Sequence, residues 1–370
     1  MKTEDLRIIF MGTPSFAVGV LKTIIENGFN VVGVVTAPDK PKGRGRTLQG
    51  SAVKQYATTQ NIPVLQPTNL KDPSFIEALT TLTANLQVVV AFRMLPKVVW
   101  QIPSLGTFNL HASLLPEYRG AAPINWAIIN KEQTTGVTTF FIDEKIDTGE
   151  IILSKEIGIS KTETVGSLHD TLMELGSAAV IDTLTLISNT EVYTTKQPTG
   201  EDFSKLNLKE APKLTPNNTY IDWNTSADSI DHFIRGLNPY PGAWSYLTQE
   251  EDTLKVKIFK VAIIEPNQEN SLWFITKDGS VKISEHSPLG TVKVMHKKLY
   301  VQLADNVLEI IEIQLPGKRK MAAKDLLNGY NFTVDAKMIA NPHGYWDYKK
   351  HVFFDSLINN HPKLLTKRRF

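Results

Sequence analysis

The 370-residue chain contains no cysteine. That excludes a disulfide scaffold, a thiol nucleophile and cysteine-based zinc or iron–sulfur sites, and it is compatible with a reducing compartment. No stretch approaches the ~18 consecutive apolar residues of a membrane span, so no membrane crossing is expected. The amino terminus, MKTEDLRIIFMG, carries Glu4 and Asp5 and no apolar segment with a small-residue cleavage site. No secretory leader is therefore expected, and a cytoplasmic setting is. Two nucleotide-binding signatures are also missing. The turn FMGTPSF retains only Gly12 of a G-x-G-x-x-G pattern, and no G-x-x-x-x-G-K-[ST] loop occurs; both absences argue against a nicotinamide enzyme or a phosphate-cradling one. There is no H-E-x-x-H and no close pair of histidines, so no metal site is expected.

What is present is an ordinary globular composition, 42% hydrophobic and 21% charged, with a length that suggests two or three domains. In the first half, short apolar runs alternate with helical spacing: Leu6–Phe10, then Phe16–Asn27 as a helix, Val31–Thr36, Leu86–Ala91 and a further apolar stretch of uncertain type at Val98–Ile102. Runs of this length bounded by Gly and Pro read as strands buried on both faces. The expected fold class is α/β, an open Rossmann-like, mostly parallel sheet with its ligand at the carboxyl ends of the strands.

Residues 191–215 are polar and hold Pro198 and Pro212, and read as a linker. Beyond it, one helical stretch, Ser226–Leu237, precedes short strand-like runs at Leu254–Ile264, Leu272–Ile275, Val281–Ile283, Leu299–Leu303 and Val307–Ile313. These predict a small OB-like β-barrel. The expected domains are 1–190, catalytic; 191–215, linker; 216–332, barrel; and 333–370, a tail of unknown role whose aromatics include Tyr345, Trp346, Tyr348, Phe353 and Phe354.

Two polar groups of residues stand out. In FNLHASLLPEYRG, Asn109 and His111 share one face of a strand end while Phe108 and Leu110 share the other. In FIDEKIDTGEII, Asp143 and Asp147 lie in a turn between two apolar runs, Thr138–Ile142 and Ile151–Ile157. Each has a structural alternative: a strand-end histidine satisfied by hydrogen bonds, and a turn aspartate that caps its own backbone. Together, Asn109, His111 and Asp147 supply an amide donor, a titratable imidazole and a carboxylate to orient it. Ser113 lies nearby, but no second His and Asp accompany it, which argues against a serine hydrolase.

These residues carry a resemblance. NLHASLLPEYRGAAPI followed by DEKIDTGE is similar to the folate-dependent formyltransferases. TAPDKPKGRGRTLQGSAVK (Thr36–Lys54), IDW with IRGLNPYPGAW (Ile221–Trp244) and QLPGKRKMAAKDLLNGY (Gln314–Tyr330) resemble the branch of that family acting on initiator methionyl-tRNA. The resemblance spans roughly residues 6–332, and the segment after about Thr333 is not part of it. It implies transfer of the formyl group of 10-formyltetrahydrofolate to the methionine amine, for translation initiation. The formyl donor is then a co-substrate and the partner an initiator tRNA; the protein is expected to be a monomer. Asn109, His111 and Asp147 would be catalytic, with Asp147 holding the ring and favouring its protonated form. Val89, Phe92, Arg93, Met94, Leu95, Ser113, Leu114, Leu115, Pro116 and Ile142 would bind the folate. A sugar-nucleotide amine as acceptor and an RNA-binding protein on an inactive scaffold are the rival readings; the first leaves the basic segments unused and the second leaves the intact triad unused.

The basic segments are two. Net charge is only +2, but residues 1–205 hold 18 basic and 20 acidic residues and the remainder 22 and 18. In the second half, Lys293, Lys297, Lys298, Lys318, Arg319, Lys320 and Lys324 concentrate positive charge, as a phosphate-rich partner requires. KPKGRGR places Lys40, Lys42, Arg44 and Arg46 around two glycines; it reads as a flexible finger for the acceptor end of tRNA, or as a solvated loop. The tRNA-contacting set expected from both segments is Lys40, Lys42, Arg44, Arg46, Lys318, Arg319 and Lys320.

Overall fold

In a computed structural model, residues 5–42, 47–190, 192–198, 205–264, 289–304, 306–340, 345–347 and 352–354 are described. The chain divides into two compact units. The first comprises Met1–Ala127, Glu132–Lys161 and Ser167–Pro212; the second comprises Ile128–Lys131, Thr162–Gly166 and Lys213–Phe370.

The first unit opens with β1 (Arg7–Gly12), α1 (Ser15–Glu26) and β2 (Asn30–Val35), then a two-stranded ribbon of β3 (Lys40–Lys42) and β4 (Thr47–Gln49). There follow α2 (Ala52–Thr59), β5 (Val64–Leu65), α3 (Pro73–Thr81), β6 (Leu86–Val90), α4 (Lys97–Trp100) and β7 (Thr107–His111). The unit continues through β8 (Arg119–Gly120), α5 (Pro123–Ile129), β9 (Thr134–Phe141), β10 (Ile151–Gly158), α6 (Val165–Ser188) and β11 (Glu210–Ala211). The helix starts are legible in the residues: the Ser51 hydroxyl accepts from the Lys54 amide before α2, and Asp72 caps α3 with Pro73 at its first position. The apolar stretch at Val98–Ile102 is largely α4.

The main sheet has the order β10-β9-β7-β6-β1-β2-β5. Pairings among β5, β2, β1, β6 and β7 are parallel, whereas β7–β9 and β9–β10 are antiparallel. Strand β6, LQVVV, is buried along its whole length, as a strand covered on both faces must be. On one face Ile9, Met11, Val35 and Val89 pack with Phe75 and Leu79 of α3 and Val99 of α4. On the other, α6 crosses β7 closely enough that a side chain at Gly176 would come within 2.8 Å of Leu110. Helix α6 has the length and hydropathy of a membrane span, although polar residues interrupt its apolar runs. Its Leu168, Leu172, Ala179, Val180, Leu184 and Ile187 are buried, and its Thr183 hydroxyl meets that of Thr139 at 2.7 Å, so it serves here as a core helix.

The stretch read as a linker is built into this unit in part. Thr195 bridges Ile151, Gln197 is buried, and β11 runs parallel to β8. Most of its described residues are nonetheless exposed, in keeping with its polar composition.

In the second unit, α7 (Ala227–Leu237), capped by Ser226, lays Ile230, Phe233, Ile234 and Leu237 on a core shared with a coiled antiparallel sheet. The strands are β12 (Ala243–Gln249), β13 (Asp252–Ile264), β14 (Val292–Met295), β15 (Lys298–Gln302), β16 (Val307–Gln314), β17 (Met321–Ala322) and β18 (Lys337–Ile339), with a short α8 (Ala323–Leu326). Their order is β14-β15-β16-β13-β12-β18. Long β13 pairs with both β12 and β16, and register shifts between Ile258 and Val261 give it the bend a barrel needs. The ends of the sheet meet: Thr291 bridges Lys337, Val292 N–H donates to the Ala336 carbonyl at 2.9 Å, and Met338 N–H to the Gly290 carbonyl at 2.7 Å.

The closing contacts reach a few residues past position 332. Ala336 and Met338 are each 1% exposed within the barrel core, so the segment just after Thr333 belongs to the barrel. Farther on, β19 (Tyr345–Asp347) pairs with β20 (Val352–Phe354). The strand-like runs Leu272–Ile275 and Val281–Ile283 lie outside the described residues, as does Tyr348 of the aromatic tail.

Candidate active site

Strand β7 ends on Asn109, Leu110 and His111, and parallel β6 beside it ends on Val89 and Val90. Asn109 pairs with Val89 on one side and Phe140 on the other. Its side-chain amide has no hydrogen-bond partner among the described residues, which leaves its donors available to a ligand. His111 is buried, and its Nε2 lies 2.8 Å from the Tyr118 carbonyl oxygen. A carbonyl only accepts, so Nε2 carries a hydrogen and the lone pair of the neutral ring sits on Nδ1. Nδ1 is 3.8 Å from Asp147 Oδ2, and that same oxygen accepts the Gly120 N–H at 3.0 Å.

Asp147 reaches this position by a route that strand alternation did not suggest. Because β9 runs antiparallel to β7, it ends beside the start of β7, where Ile142 N–H donates to the Thr107 carbonyl at 2.8 Å. The turn then folds back along the sheet toward His111. Asp143 holds it together, accepting the Lys145 N–H at 3.0 Å and the Thr148 hydroxyl at 2.7 Å. Asp147 itself has φ +54°, a left-handed conformation that Asp tolerates better than most residues. Gly149 is required: a Cβ there would lie 1.6 Å from the Phe141 carbonyl oxygen. Gly120 is required as well, with φ +125° and a hypothetical Cβ 2.5 Å from the Ala211 carbonyl oxygen.

A cavity of about 690 Å³ opens over these groups, large enough for a bicyclic ligand. It lies where β1 sends its successor to one side and β6 continues on the other, the switch point of the sheet. Asn109, His111 and Asp147 line it, as do Val89, Phe92, Arg93, Met94, Leu95 and Ile142. Ser113, Leu114, Leu115 and Pro116 are not among its lining residues. They shape the loop: the Ser113 hydroxyl donates to the Glu117 carbonyl at 2.7 Å, the Leu115 N–H to the Thr138 hydroxyl at 3.1 Å, and that hydroxyl to the Ser113 carbonyl at 2.7 Å. The Arg93 guanidinium donates to the carbonyls of Pro67 and Thr68. Phe16, Asn125, Phe140, Lys145 and His169 also line the cavity and were not singled out in the sequence. Asn125 follows directly on the GAAPI motif; nothing local marks Phe16 or His169, which meet edge to face at a ring distance of 5.3 Å.

Of the cations expected to meet tRNA, Lys40 is exposed on the ribbon, where Lys40 pairs with Gln49 and Lys42 with Thr47. Arg44, Arg46 and the side chain of Lys42 lie outside the described residues. The foot of the ribbon is tied down: Asp39 accepts from Gln66 and from Lys54, each at 2.7 Å. Those two hydrogen bonds, Gln66 first, hold its carboxyl below the ordinary value. In the second unit Lys318, Arg319 and Lys320 are exposed after β16. Lys320 is engaged by Glu312 at 2.9 Å and lies 5.3 Å from the Phe259 ring, and Lys298 is engaged by Glu309 at 2.9 Å. Among the described residues, the Lys318 and Arg319 side chains have no such partner.

An open sheet presenting an amide, an imidazole and a carboxylate to one cavity, in a chain that also forms a small barrel, defines the formyltransferase class. A formyl transferase family model matches residues 6–184, and a formyl transferase C-terminal domain model matches residues 213–331. The chain is 52% identical to a methionyl-tRNA formyltransferase of Flavobacterium johnsoniae, covering 90% of this chain and 99% of that one. It is 47% identical to a methionyl-tRNA formyltransferase of Bacteroides thetaiotaomicron, covering 91% and 100%. The fold matches the crystal structure of WlaRD, a sugar 3N-formyl transferase, with a TM-score of 0.55 at 18% identity over 85% of this chain and 99% of that one. It also matches HypX of Aquifex aeolicus in complex with tetrahydrofolic acid, with a TM-score of 0.57 at 16% identity over 92% and 52%. The chain belongs to the methionyl-tRNA formyltransferase family.

Proposed function

We infer that the protein transfers the formyl group of 10-formyltetrahydrofolate to the amino group of methionine on initiator methionyl-tRNA. The observation that carries this reading is the convergence of Asn109, His111 and Asp147 on one cavity, in a chain about half identical to methionyl-tRNA formyltransferases over nearly its whole length. The folate ring occupies the apolar part of the cavity, between Val89, Phe92, Met94, Leu95 and Ile142. Catalysis belongs to residues 1–190 and tRNA binding mainly to the barrel.

The neutral amine attacks the formyl carbon. A C–N bond forms, and the former carbonyl oxygen becomes anionic in a tetrahedral species. Asn109 donates its amide hydrogen to that oxygen, a contribution typically worth about 100- to 1,000-fold in rate. The attacking nitrogen must lose a proton. His111 is suited to take it, since Nε2–H is directed at the Tyr118 carbonyl and the lone pair faces Asp147. The imidazolium so formed lies beside a carboxylate, and it returns the proton to the folate nitrogen as the old C–N bond breaks. The cations Lys40, Lys42, Arg44, Arg46, Lys318, Arg319 and Lys320 meet tRNA phosphates, which positions the substrate without reading its sequence. The KPKGRGR segment engages the acceptor end. The enzyme works as a cytoplasmic monomer.

The test is incubation with 10-formyltetrahydrofolate and either methionyl-tRNA or a nucleotide-linked amino sugar. Formyl-methionyl-tRNA is the expected product. Formylation of the amino sugar alone would overturn the reading.

A further inference from the structure

Asp147 can stabilise a charged His111 only if its turn is held, and the turn's own hydrogen bonds lie on the Asp143 side. What fixes the Asp147 side comes from 50 residues away in the chain. Gln197 is 8% exposed. Its Nε2 donates to the Asp147 carbonyl at 3.2 Å and to the Gly149 carbonyl at 2.7 Å. Its Oε1 accepts from Arg119, at 2.7 Å from Nη2 and 3.3 Å from Nε. The orientation of the amide is unambiguous, because carbonyls must face its NH2 and a guanidinium must face its oxygen.

Arg119 is in turn anchored by donating to the Pro198 carbonyl at 3.2 Å. The next residue, Gly120, gives its N–H to the Asp147 carboxylate at 3.0 Å. The contacts therefore form a closed ring: Asp147 side chain to the Gly120 backbone, Arg119 side chain to Gln197, and Gln197 back to the Asp147 backbone. We propose that Gln197, oriented by Arg119, is a positioning residue that clamps the Asp147 turn over His111. Gln197 acts through Asp147 and does not line the cavity. A buried amide with both ends engaged loses this function when either donor or acceptor is removed. The inference rests on the catalytic reading of Asp147 given above.

The experiment is a double-mutant cycle on the full chain, measuring kcat and KM for methionyl-tRNA. Gln197→Met keeps the volume and removes every hydrogen bond. Gln197→Glu keeps the acceptor for Arg119 and removes the donor to the two carbonyls. Each is made alone and with Asp147→Asn. The clamp predicts a kcat loss of about 10- to 100-fold for each single variant, with KM for methionyl-tRNA changed by less than about threefold. It also predicts that the loss shrinks to less than about twofold when Asp147 is already Asn. The same fold-loss in both backgrounds, or no loss, overturns the clamp. If Gln197→Met fails to fold, Gln197→Glu decides alone. If Asp147→Asn by itself leaves kcat unchanged, the catalytic reading of Asp147 fails, and the clamp with it.

Discussion

The two sheets of this protein treat their edges in opposite ways. The first stays open: β5 and β10 are its flanks, and its parallel strands point their carboxyl ends one way. Strands that diverge at a switch point leave a crevice, and that crevice holds the cavity over Asn109 and His111. The second sheet closes, joining β14 to β18 through Thr291 and Lys337. Its interior is filled by Leu247, Val256, Ile258, Leu299, Val301 and Ile310. A filled barrel has only its outer surface to offer, and Lys318, Arg319 and Lys320 are exposed on this one. Openness leaves room for a cavity; closure fills the interior and leaves only a surface.

The sharpest way to break this comparison is to reopen the barrel. A chain ending at Phe332 loses Ala336 and Met338 from the core and leaves the facing edges of β12 and β14 without partners. Removing a buried Met side chain alone costs about 2–5 kcal/mol, a large part of a typical stability of about 5–15 kcal/mol. The barrel should lose its cooperative melt, whereas a chain ending at Ala340 should keep it. Calorimetry of the two truncations checks this, and an intact barrel transition in the shorter chain would show that closure is incidental.

The next effect is on the open sheet. Asn109→Ala, His111→Ala and Asp147→Ala should each lower kcat by about 100-fold or more, with tRNA affinity changed by less than about threefold. Losses should combine less than additively if the three act on one transition state. Loss of tRNA affinity with kcat intact would assign these residues to binding.

Smaller effects belong to the barrel's surface. Lys318→Ala should weaken tRNA binding several-fold and reduce the slope of log K against log salt by about 1. Lys320→Ala should do less, since Glu312 already neutralises that ammonium. Equal slopes across the native chain and both variants would remove these cations from the interface. Smallest is a pH effect in the second unit. The hydrogen bond from Lys131 is the leading cause of a lowered Asp228 carboxyl pKa, with the charges of His232, Lys131 and Arg235 adding to it. A depressed folded value means the stabilisation is full above the ordinary carboxylate range and fades as pH falls through the folded value. Asp228→Asn should flatten that acid limb slightly in melting temperature measured against pH. An unchanged limb would mean the pair contributes nothing measurable, as for many exposed ion pairs.

Much of this was legible in the residues, unevenly. The buried strands β1 and β6 announce themselves because a strand covered on both faces is a nearly continuous apolar run, broken here only by Arg7 at the start of β1 and by Gln87. The paired spacing of Asn109 and His111 marked one face of β7. The direction of β9 was not legible, since an apolar run carries no arrow, and the fold-back of the Asp143–Gly149 turn follows from that direction. Ser113–Pro116 share a motif with His111 but support the loop and leave the cavity to others. β18 is only three residues long, with Met338 its one fully buried member, too short a signal against a polar background. Gln197 was hidden for another reason: two of its partners are backbone carbonyls, which leave no trace in sequence, and its side-chain partner Arg119 lies 78 residues away.

Barrel closure also sets an order in time. The ring of strands begins with β12 at Ala243 and is completed by Lys337–Ile339. A chain emerging from the ribosome amino end first can assemble the parts of the first unit up to Pro212 long before that last strand exists. Until it arrives, β12 and β14 present raw edges, the surfaces most prone to pairing with a neighbouring chain. The interval between synthesis of β12 and of β18 is the period in which the nascent protein most needs protection.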